Sequence, residues 1–363
     1  MSVQELSNTG AETHDHPFEW ALERIADRAQ SLDHEPRFPS ENFADLAGTG
    51  TLQSGGAGGL AKEASLVRAV ARADASTARI LDGHLNGLER LSLCAREPLR
   101  SQEFAQIQEQ GLLLGVWGAD PAPGEGSPAR LERTDRGLVL RGVKTFCSGA
   151  GGVQRALVIA ADEDGARTLV YLDTDLGVSV DRGWYQASGL RCSESHRVEF
   201  HDTPVLAVLG GPGELSREPY FSRDAIRTSA TWAGLADSIL TETLKALDPV
   251  RLDEPQAHCL GRMWIAQGTI DRWLEHTTVT LDQPPDRPLG VDPAALAVQC
   301  RAALADSARL ISTLAAQVCG SRAFIDGGTL DRARRDLDLF LLQHRLDSKI
   351  VKLGTHILEQ SRR

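Results

Sequence analysis

The spacing of apolar residues changes twice along the chain. Residues 17–32 place apolar side chains at helical intervals, and helical patterns continue beyond Pro98. From Gly111 to about position 205 the pattern becomes short runs of strand-forming residues, about ten residues apart, with turn residues between them. The helical pattern returns at Tyr220 and covers residues 220–247, 256–281, 291–318 and 328–358.

This order of helices, strands and helices predicts an α+β chain with several domains. A dinucleotide-binding βαβ fold would instead alternate strands with helices. We expect an N-terminal helical domain over residues 1–112 and an antiparallel β-barrel or sandwich over 113–208. The remaining residues, 209–363, are expected to form a C-terminal bundle of four helices.

Composition and charge exclude several classes of protein. The chain has 363 residues and a net charge of −11, which gives no electrostatic reason to bind nucleic acid or an anionic membrane. Apolar runs such as "LVIAA" are far shorter than the roughly 18 residues of a membrane helix. The start, "MSVQELSNTGAETHDHP", lacks a basic stretch followed by an apolar one, so we expect a cytoplasmic protein.

The cysteines indicate reduced thiols. Six are scattered along the chain without a CxxC pair, which is not typical of a disulfide framework or a zinc site. We therefore predict no metal site.

Five stretches of the chain together suggest a family: "IADRAQSLDHEPRFPSENFADLAGTGTLQSGGAGG", "VWGADP", "VLRGVKTFCSGAG", "GLRCSESHRVEFHDTPV" and "VCGSRAFIDGGTLDRARRDLDLF". In this order they resemble the acyl-CoA dehydrogenase superfamily over nearly the whole chain. The resemblance implies helices, a β-barrel and a four-helix bundle, with FAD bound between barrel and bundle. It also implies a homodimer or homotetramer, because the family shares FAD between subunits.

Two short motifs carry the implied flavin contacts. In "KTFCS", the resemblance makes Phe146 the ring against the flavin and Ser148 a hydroxyl near its N5 atom, with Cys147 between them. In "VWGADP", Trp117, Gly118 and Ala119 take the place of the strand end that binds the flavin's pyrimidine edge. Ala119 replaces the usual threonine, so only backbone N–H groups at 118 and 119 remain as donors there.

Further residues are implied at the outer part of the site. Gln317 and Gly320 fall where the family contacts the FAD of a neighbouring subunit. The family's "RxxFG" run for the FAD diphosphate is absent, and Arg251 is the candidate that remains. Ser127 lies where the family places a serine near the pantetheine of CoA. Without the resemblance, these motifs are typical of an ordinary sheet core and its loops.

The position of the catalytic base allows three interpretations. His344 continues an apolar stripe of Leu337, Phe340 and Leu341, and it stands where the family usually has the glutamate that removes the α-proton. In the first interpretation, Asp224 supplies the carboxylate that acts as the base in place of this glutamate. It lies ten residues before Gly234, as in some members of the family. In the second interpretation His344 itself transfers the proton, since an imidazole with a pKa of about 6.5 suits this task. In the third, His344 is structural and the chain is not catalytic.

These interpretations correspond to three functions. The sequence favours an FAD-dependent oxidoreductase that oxidises the α–β bond of an acyl thioester, bound to CoA or a carrier protein, and passes electrons to an electron-transfer partner. The alternative is a two-component flavin-dependent monooxygenase, supplied by a flavin reductase and acting on a small nitrogen- or sulfur-bearing substrate. A non-catalytic homologue is the third.

Overall fold

Helices flank a central run of strands, in the order that the apolar pattern predicts. The computed structural model describes residues 17–53, 59–135, 137–283, 289–325, 327–343 and 345–360. Helices α1–α5 precede the strands and span Pro17–His34, Ser40–Ala47, Leu60–Ala73, Ala75–Cys94 and Leu99–Gln110. Strands β1–β7 span Leu114–Trp117, Arg130–Thr134, Gly137–Cys147, Arg155–Ala161, Arg167–Asp173, Val178–Asp181 and His196–Leu209. Helices α6–α10 follow and span Tyr220–Ala246, Glu254–Leu281, Pro293–Cys319, Thr329–Leu342 and Leu346–Gln360.

The strands form one sheet that closes into a barrel. The long strand β7 pairs with β3, β5 and β6. The sheet closes because β5 also pairs with β4, and β4 pairs with β2, the partner of β3. The expected α+β class and the barrel are therefore confirmed. The β1–β4 and β2–β4 pairs are parallel, whereas the other pairs are antiparallel. This mixture follows from β4 returning between two strands that precede it, which the spacing of the runs does not reveal.

Local sequence signals fix the starts of several helices. The Asp74 carboxylate accepts the Thr77 N–H at 2.7 Å at the start of α4. Asp253 and Gln256 form a reciprocal capping box at the start of α7, with contacts of 2.8 and 3.2 Å. Because these contacts join residues only three positions apart, such helix starts can be predicted from the sequence.

The N-terminal helices pack closely on the C-terminal ones. A Cβ atom built on Gly234 of α6 would lie 2.3 Å from the Arg68 carbonyl oxygen of α3, so only glycine permits this approach. Arg68 also pairs with Asp237 at 2.7 Å. Helix α4, which is buried over most of its length, lies between α6 and the sheet.

The loop before β7 docks on α9. The Leu190 N–H donates to the Asp336 carboxylate at 2.6 Å. A Cβ atom on Gly189 would lie 2.3 Å from the carbonyl oxygen of Arg335. These contacts hold the loop before β7 against the middle of α9.

The last predicted helix, 328–358, is interrupted. Helix α9 ends at Leu342 and α10 begins at Leu346, so the prediction of one continuous helix is wrong. Arg345 has a φ of 42°, a left-handed conformation that cannot continue an α-helix.

The division into three domains at residues 112 and 208 stays a prediction. Within the described ranges, none of the helices combines the length and apolarity needed to cross a membrane.

Candidate active site

A cavity lies where the sheet meets the junction of α9 and α10. We call it the central cavity, and its volume is 430 Å³. Its lining comes from α4, from the ends of β1 and β3, and from the α9–α10 turn. The lining residues are Arg79, Val116, Gly118, Ala119, Phe146, Leu339, Leu342, Gln343 and Arg345. The structure thus brings together Gly118, Ala119 and Phe146, which sequence reasoning assigned to cofactor binding.

Contacts between β3 and the residues after β1 fix one wall of the central cavity. The Thr145 N–H donates to the Ala119 carbonyl at 3.1 Å. The Lys144 ammonium donates to the Asp120 carboxylate at 2.6 Å and to the Gly118 carbonyl at 3.3 Å. Burial lowers the pKa of Lys144, and Asp120 opposes this shift. The backbone at positions 118 and 119 is therefore held rigidly at the wall.

Phe146 presents an aromatic ring at this cavity. It is 49% exposed, although the strand that carries it is mostly buried. Its φ of 51° is a left-handed conformation that costs a non-glycine residue about 1–3 kcal/mol. The ring of Trp184 contacts it edge-on, with centroids 4.9 Å apart. A strained, exposed aromatic residue at a cavity is typical of a binding site.

Trp117, Cys147 and Ser148 are buried beside the cavity and do not line it. The Trp117 indole N–H donates to the Ser148 carbonyl at 3.1 Å. Burial raises the pKa of Cys147 well above its usual value, so its thiol is not a nucleophile. The Ser148 hydroxyl lies 2.9 Å from that of Ser195, which lies 2.8 Å from that of Ser193. Phe146 is therefore exposed at the cavity, whereas its strand neighbour Cys147 is buried.

Arg79 on α4 is a cavity residue that sequence reasoning missed. It pairs with Asp82 at 2.5 Å, and its guanidinium carbon lies 5.6 Å from the centroid of the Phe340 ring. Burial raises the pKa of Asp82 to about 6, against the lowering effect of Arg79 and Arg227. In sequence Arg79 is one of several charged residues of α4, and no motif marks it as a site residue.

Asp224 belongs to an ionic network and does not line the central cavity. Its carboxylate accepts from Arg90 at 2.5 Å and from Arg227 at 3.2 Å. Arg227 also pairs with Glu63 at 2.6 Å and with Glu89 at 3.0 Å. Burial raises the pKa of Asp224 to about 7, although Arg90 and Arg227 lower it. This network ties α3, α4 and α6 together.

His344 lies outside the described residues, so the structure gives no account of its contacts. Its chain neighbours Gln343 and Arg345 both line the central cavity. The role of His344 stays a prediction.

Sequence comparison finds distant relatives. No family model matches the chain. The dibenzothiophene monooxygenase of Rhodococcus erythropolis is 28% identical over 162 residues, which are 40% of this chain and only 37% of that enzyme. Acryloyl-CoA reductase (NADH) of Anaerotignum propionicum is 22% identical over 335 residues, or 85% of this chain and 84% of that protein.

Solved structures match almost the whole chain. Methanesulfinate monooxygenase MsuC from Pseudomonas fluorescens gives a TM-score of 0.82 at 20% identity, covering 95% of this chain and 96% of that one. Butyryl-CoA dehydrogenase from Megasphaera elsdenii gives 0.81 at 16% identity, covering 97% and 100%. This chain has the acyl-CoA dehydrogenase fold. The resemblance inferred from five sequence stretches is confirmed at this level. FMN-bound TdsC from Paenibacillus sp. A11-2 shares the fold, with a TM-score of 0.82 at 17% identity, covering 95% and 97%.

The outer residues implied by the acyl-CoA dehydrogenase resemblance lie away from the central cavity. Arg251 is in the loop between α6 and α7, where its side chain is 87% exposed and 3.6 Å from Asp248. Gln317 and Gly320 are exposed at the C-terminal end of α8. Ser127 is exposed in the loop before β2, and its carbonyl accepts the Val143 N–H at 2.8 Å. Their contacts with FAD or CoA stay predictions.

Proposed function

We propose that this chain is the oxygenase of a two-component flavin-dependent monooxygenase, acting on a small sulfur- or nitrogen-bearing substrate. The similarity to dibenzothiophene monooxygenase, MsuC and TdsC supports this choice. The observation that carries it is the central cavity. Its described lining contains an aromatic ring, two arginines and an amide, but no carboxylate that would remove an α-proton.

A flavin ring fits the residues of the central cavity. Val116, Leu339 and Phe146 offer apolar surfaces to a flat ring, and Arg79 and Gln343 offer donors to its polar edge. The volume of 430 Å³ lies within the roughly 300–1,000 Å³ that small-molecule sites occupy. TdsC was solved with FMN, so FMN stands beside FAD as the cofactor to test.

The proposal gives each cavity residue a role. When bound, a reduced flavin would supply the two electrons that, with two protons, place one oxygen atom of O₂ on the substrate and leave the other as water. Arg79, held by Asp82, stabilises negative charge on the ring. Phe146 fixes the position of the ring. His344 moves the proton, which is consistent with the cavity position of Gln343 and Arg345.

The proposal includes two kinds of protein partner. A flavin reductase supplies the reduced flavin. Copies of this chain associate, and the neighbouring Trp264 and Ile265 on α7, 70% and 71% exposed, support an apolar contact surface.

Oxidation of an acyl thioester is the second candidate. The similarity to acryloyl-CoA reductase and to the fold of butyryl-CoA dehydrogenase favours it. It requires Asp224 or His344 as the base. The Asp224 carboxylate is engaged by Arg90 and Arg227, which weakens this candidate.

The first experiment measures flavin binding and oxygen transfer. The purified chain is mixed with FMN or FAD, a flavin reductase, NADH and ¹⁸O₂, together with a sulfide, a sulfinate or a primary amine. We expect one ¹⁸O atom in one product class, detected by mass spectrometry. Anaerobic bleaching of the bound flavin by butyryl-CoA or octanoyl-CoA would instead establish the dehydrogenase. A chain that binds neither flavin would contradict both and leave the non-catalytic homologue.

A matched pair of arginine variants tests the cavity assignment. Arg79→Met removes the cation beside the cavity and is expected to lower product formation at least tenfold, as loss of one charge-stabilising donor does. Arg309→Met removes an exposed arginine of α8, which is 3.4 Å from Asp306, and should leave the rate unchanged. Equal rates for both variants would contradict the role of Arg79.

A further inference from the structure

A second cavity lies between the first turns of α6, the first three turns of α8 and the middle of α10. We call it the α8 cavity, and its volume is 340 Å³. Most of its walls are apolar, with small side chains such as Ala225, Ala297 and Val298 leaving the space open. None of its described lining residues belongs to the central cavity. It is therefore a site distinct from the one described above.

Arg301 at the α8 cavity is a buried cation with two guanidinium nitrogens that lack a hydrogen-bond partner among the described residues. The residue is 3% exposed, and within the described part of the chain its Nε and Nη2 atoms have no hydrogen-bond partner. Its guanidinium carbon lies 5.1 Å from the centroid of the Trp232 ring, which covers one face of the guanidinium. Burial lowers the pKa of Arg301 to about 10. An unpaired guanidinium in this environment is costly unless an anion binds it.

The other charges at the α8 cavity increase the excess of positive charge. Lys349 and Lys352 of α10 line it, and burial together with the charges of Arg301 and Lys352 lowers the pKa of Lys349. The two carboxylates present are engaged at helix starts. Glu218 accepts the Ser222 N–H at 3.2 Å, and Asp292 accepts the Ala294 N–H at 2.9 Å. The lining therefore carries three cations against two carboxylates, and neither carboxylate is recorded in an ion pair with Arg301 within the described residues.

We propose that the α8 cavity binds a small amphipathic monoanion, a medium-chain carboxylate. The carboxylate binds the Arg301 guanidinium, whose planar set of donors matches two carboxylate oxygens, and Lys349 adds a second charge. The alkyl tail lies against the alanines and Val298. A volume near the lower end of the range for ligand sites suits a chain of this size better than a large cofactor.

The test is a calorimetric titration of the purified full chain with ligands that differ in one property each. Octanoate should bind with one site per chain, and octylammonium and 1-octanol should bind at least tenfold more weakly. Acetate should also bind at least tenfold more weakly, because it lacks the tail. The absence of octanoate binding, or equal binding of octylammonium, 1-octanol or acetate, would overturn the proposal.

Two variants locate the site. Arg301→Met should weaken octanoate binding at least tenfold, whereas Arg309→Met on the same helix should not change it. Val298→Phe fills the tail region while leaving Arg301 in place, and should also weaken binding at least tenfold. If Arg301→Met does not fold, Val298→Phe and the ligand series decide the matter. Unchanged binding in Val298→Phe would place the octanoate elsewhere and refute the assignment. The experiment is independent of the proposed function, because it needs neither added flavin nor turnover.

Discussion

Replacing Asp336 by asparagine tests how the sheet is held on α9. Asp336 is buried and accepts the Leu190 N–H at 2.6 Å. Burial raises the pKa of Asp336 to about 7, although the Leu190 N–H and the charge of Arg332 lower it. Asparagine keeps an oxygen that accepts from Leu190, but it cannot ionise. The variant therefore removes the titration and preserves the contact.

The magnitude follows from the linkage between proton binding and folding. The pKa of Asp336 rises from an ordinary 3.8 to about 7 in the folded chain. A carboxyl group with a raised folded pKa stabilises the fold fully below its unfolded pKa, and this stabilisation is lost as the pH rises through the folded pKa. One pKa unit corresponds to about 1.4 kcal/mol, so this group alone lowers the free energy of unfolding by about 4 kcal/mol between about pH 4 and pH 8.

The assay is urea unfolding of the wild type, Asp336→Asn and Asp338→Asn across this pH range. Asp338 lies on the same helix, is exposed and is 3.8 Å from Arg334, so it serves as the matched control. The stability of Asp336→Asn relative to the wild type should increase by about 4 kcal/mol from low to high pH. The difference for Asp338→Asn should stay constant. Parallel pH profiles for all three proteins would refute the reasoning.

Three further predictions concern buried groups. Glu63→Gln breaks the fully buried ion pair with Arg227 and should lower the free energy of unfolding, measured by urea titration, by about 3–5 kcal/mol. The control Glu242→Gln, at the more exposed pair with Lys245, should lower it by less than about 1 kcal/mol. Cys147 should react with a thiol reagent only after unfolding, as mass spectrometry of labelled peptides would show; labelling in the native protein would contradict its burial. Gly234→Ala should destabilise the chain by about 1–3 kcal/mol, since the new methyl group would collide with the Arg68 carbonyl of α3; an unchanged melting temperature would argue against this close packing.

The order of the elements was predictable because it depends on local periodicity. The helix expected at residues 17–32 is α1, and the helix expected at 256–281 is α7, whose capping residue Asp253 precedes it directly in sequence. The break between α9 and α10 was not predictable. The apolar stripe continues from Leu337 through position 344, and the interruption depends on the left-handed backbone of Arg345.

The candidate site was predictable only in part. Gly118, Ala119 and Phe146 lie in two short motifs at strand ends, and pairing of Ala119 with Thr145 brings these motifs together. The motif "KTFCS" does not show that Phe146 lines the cavity and that Cys147 does not. That distinction depends on the left-handed backbone of Phe146, at a point where the pairing of β3 with β7 shifts register. There the Phe146 ring reaches the cavity, whereas Cys147 stays buried.

By itself the sequence determined the class of fold, the resemblance to the acyl-CoA dehydrogenases and the strand ends that line the central cavity, because these features are written in short stretches of neighbouring residues. Only the tertiary structure decided that Arg79 joins the central cavity and that Arg301 lines a second cavity, with two of its guanidinium nitrogens unpaired in the described part of the chain. Both arginines stand in helical patterns that look ordinary in sequence. Their environment depends on how helices that are distant in sequence pack together. A charge that this packing buries is costly in free energy unless it has a partner.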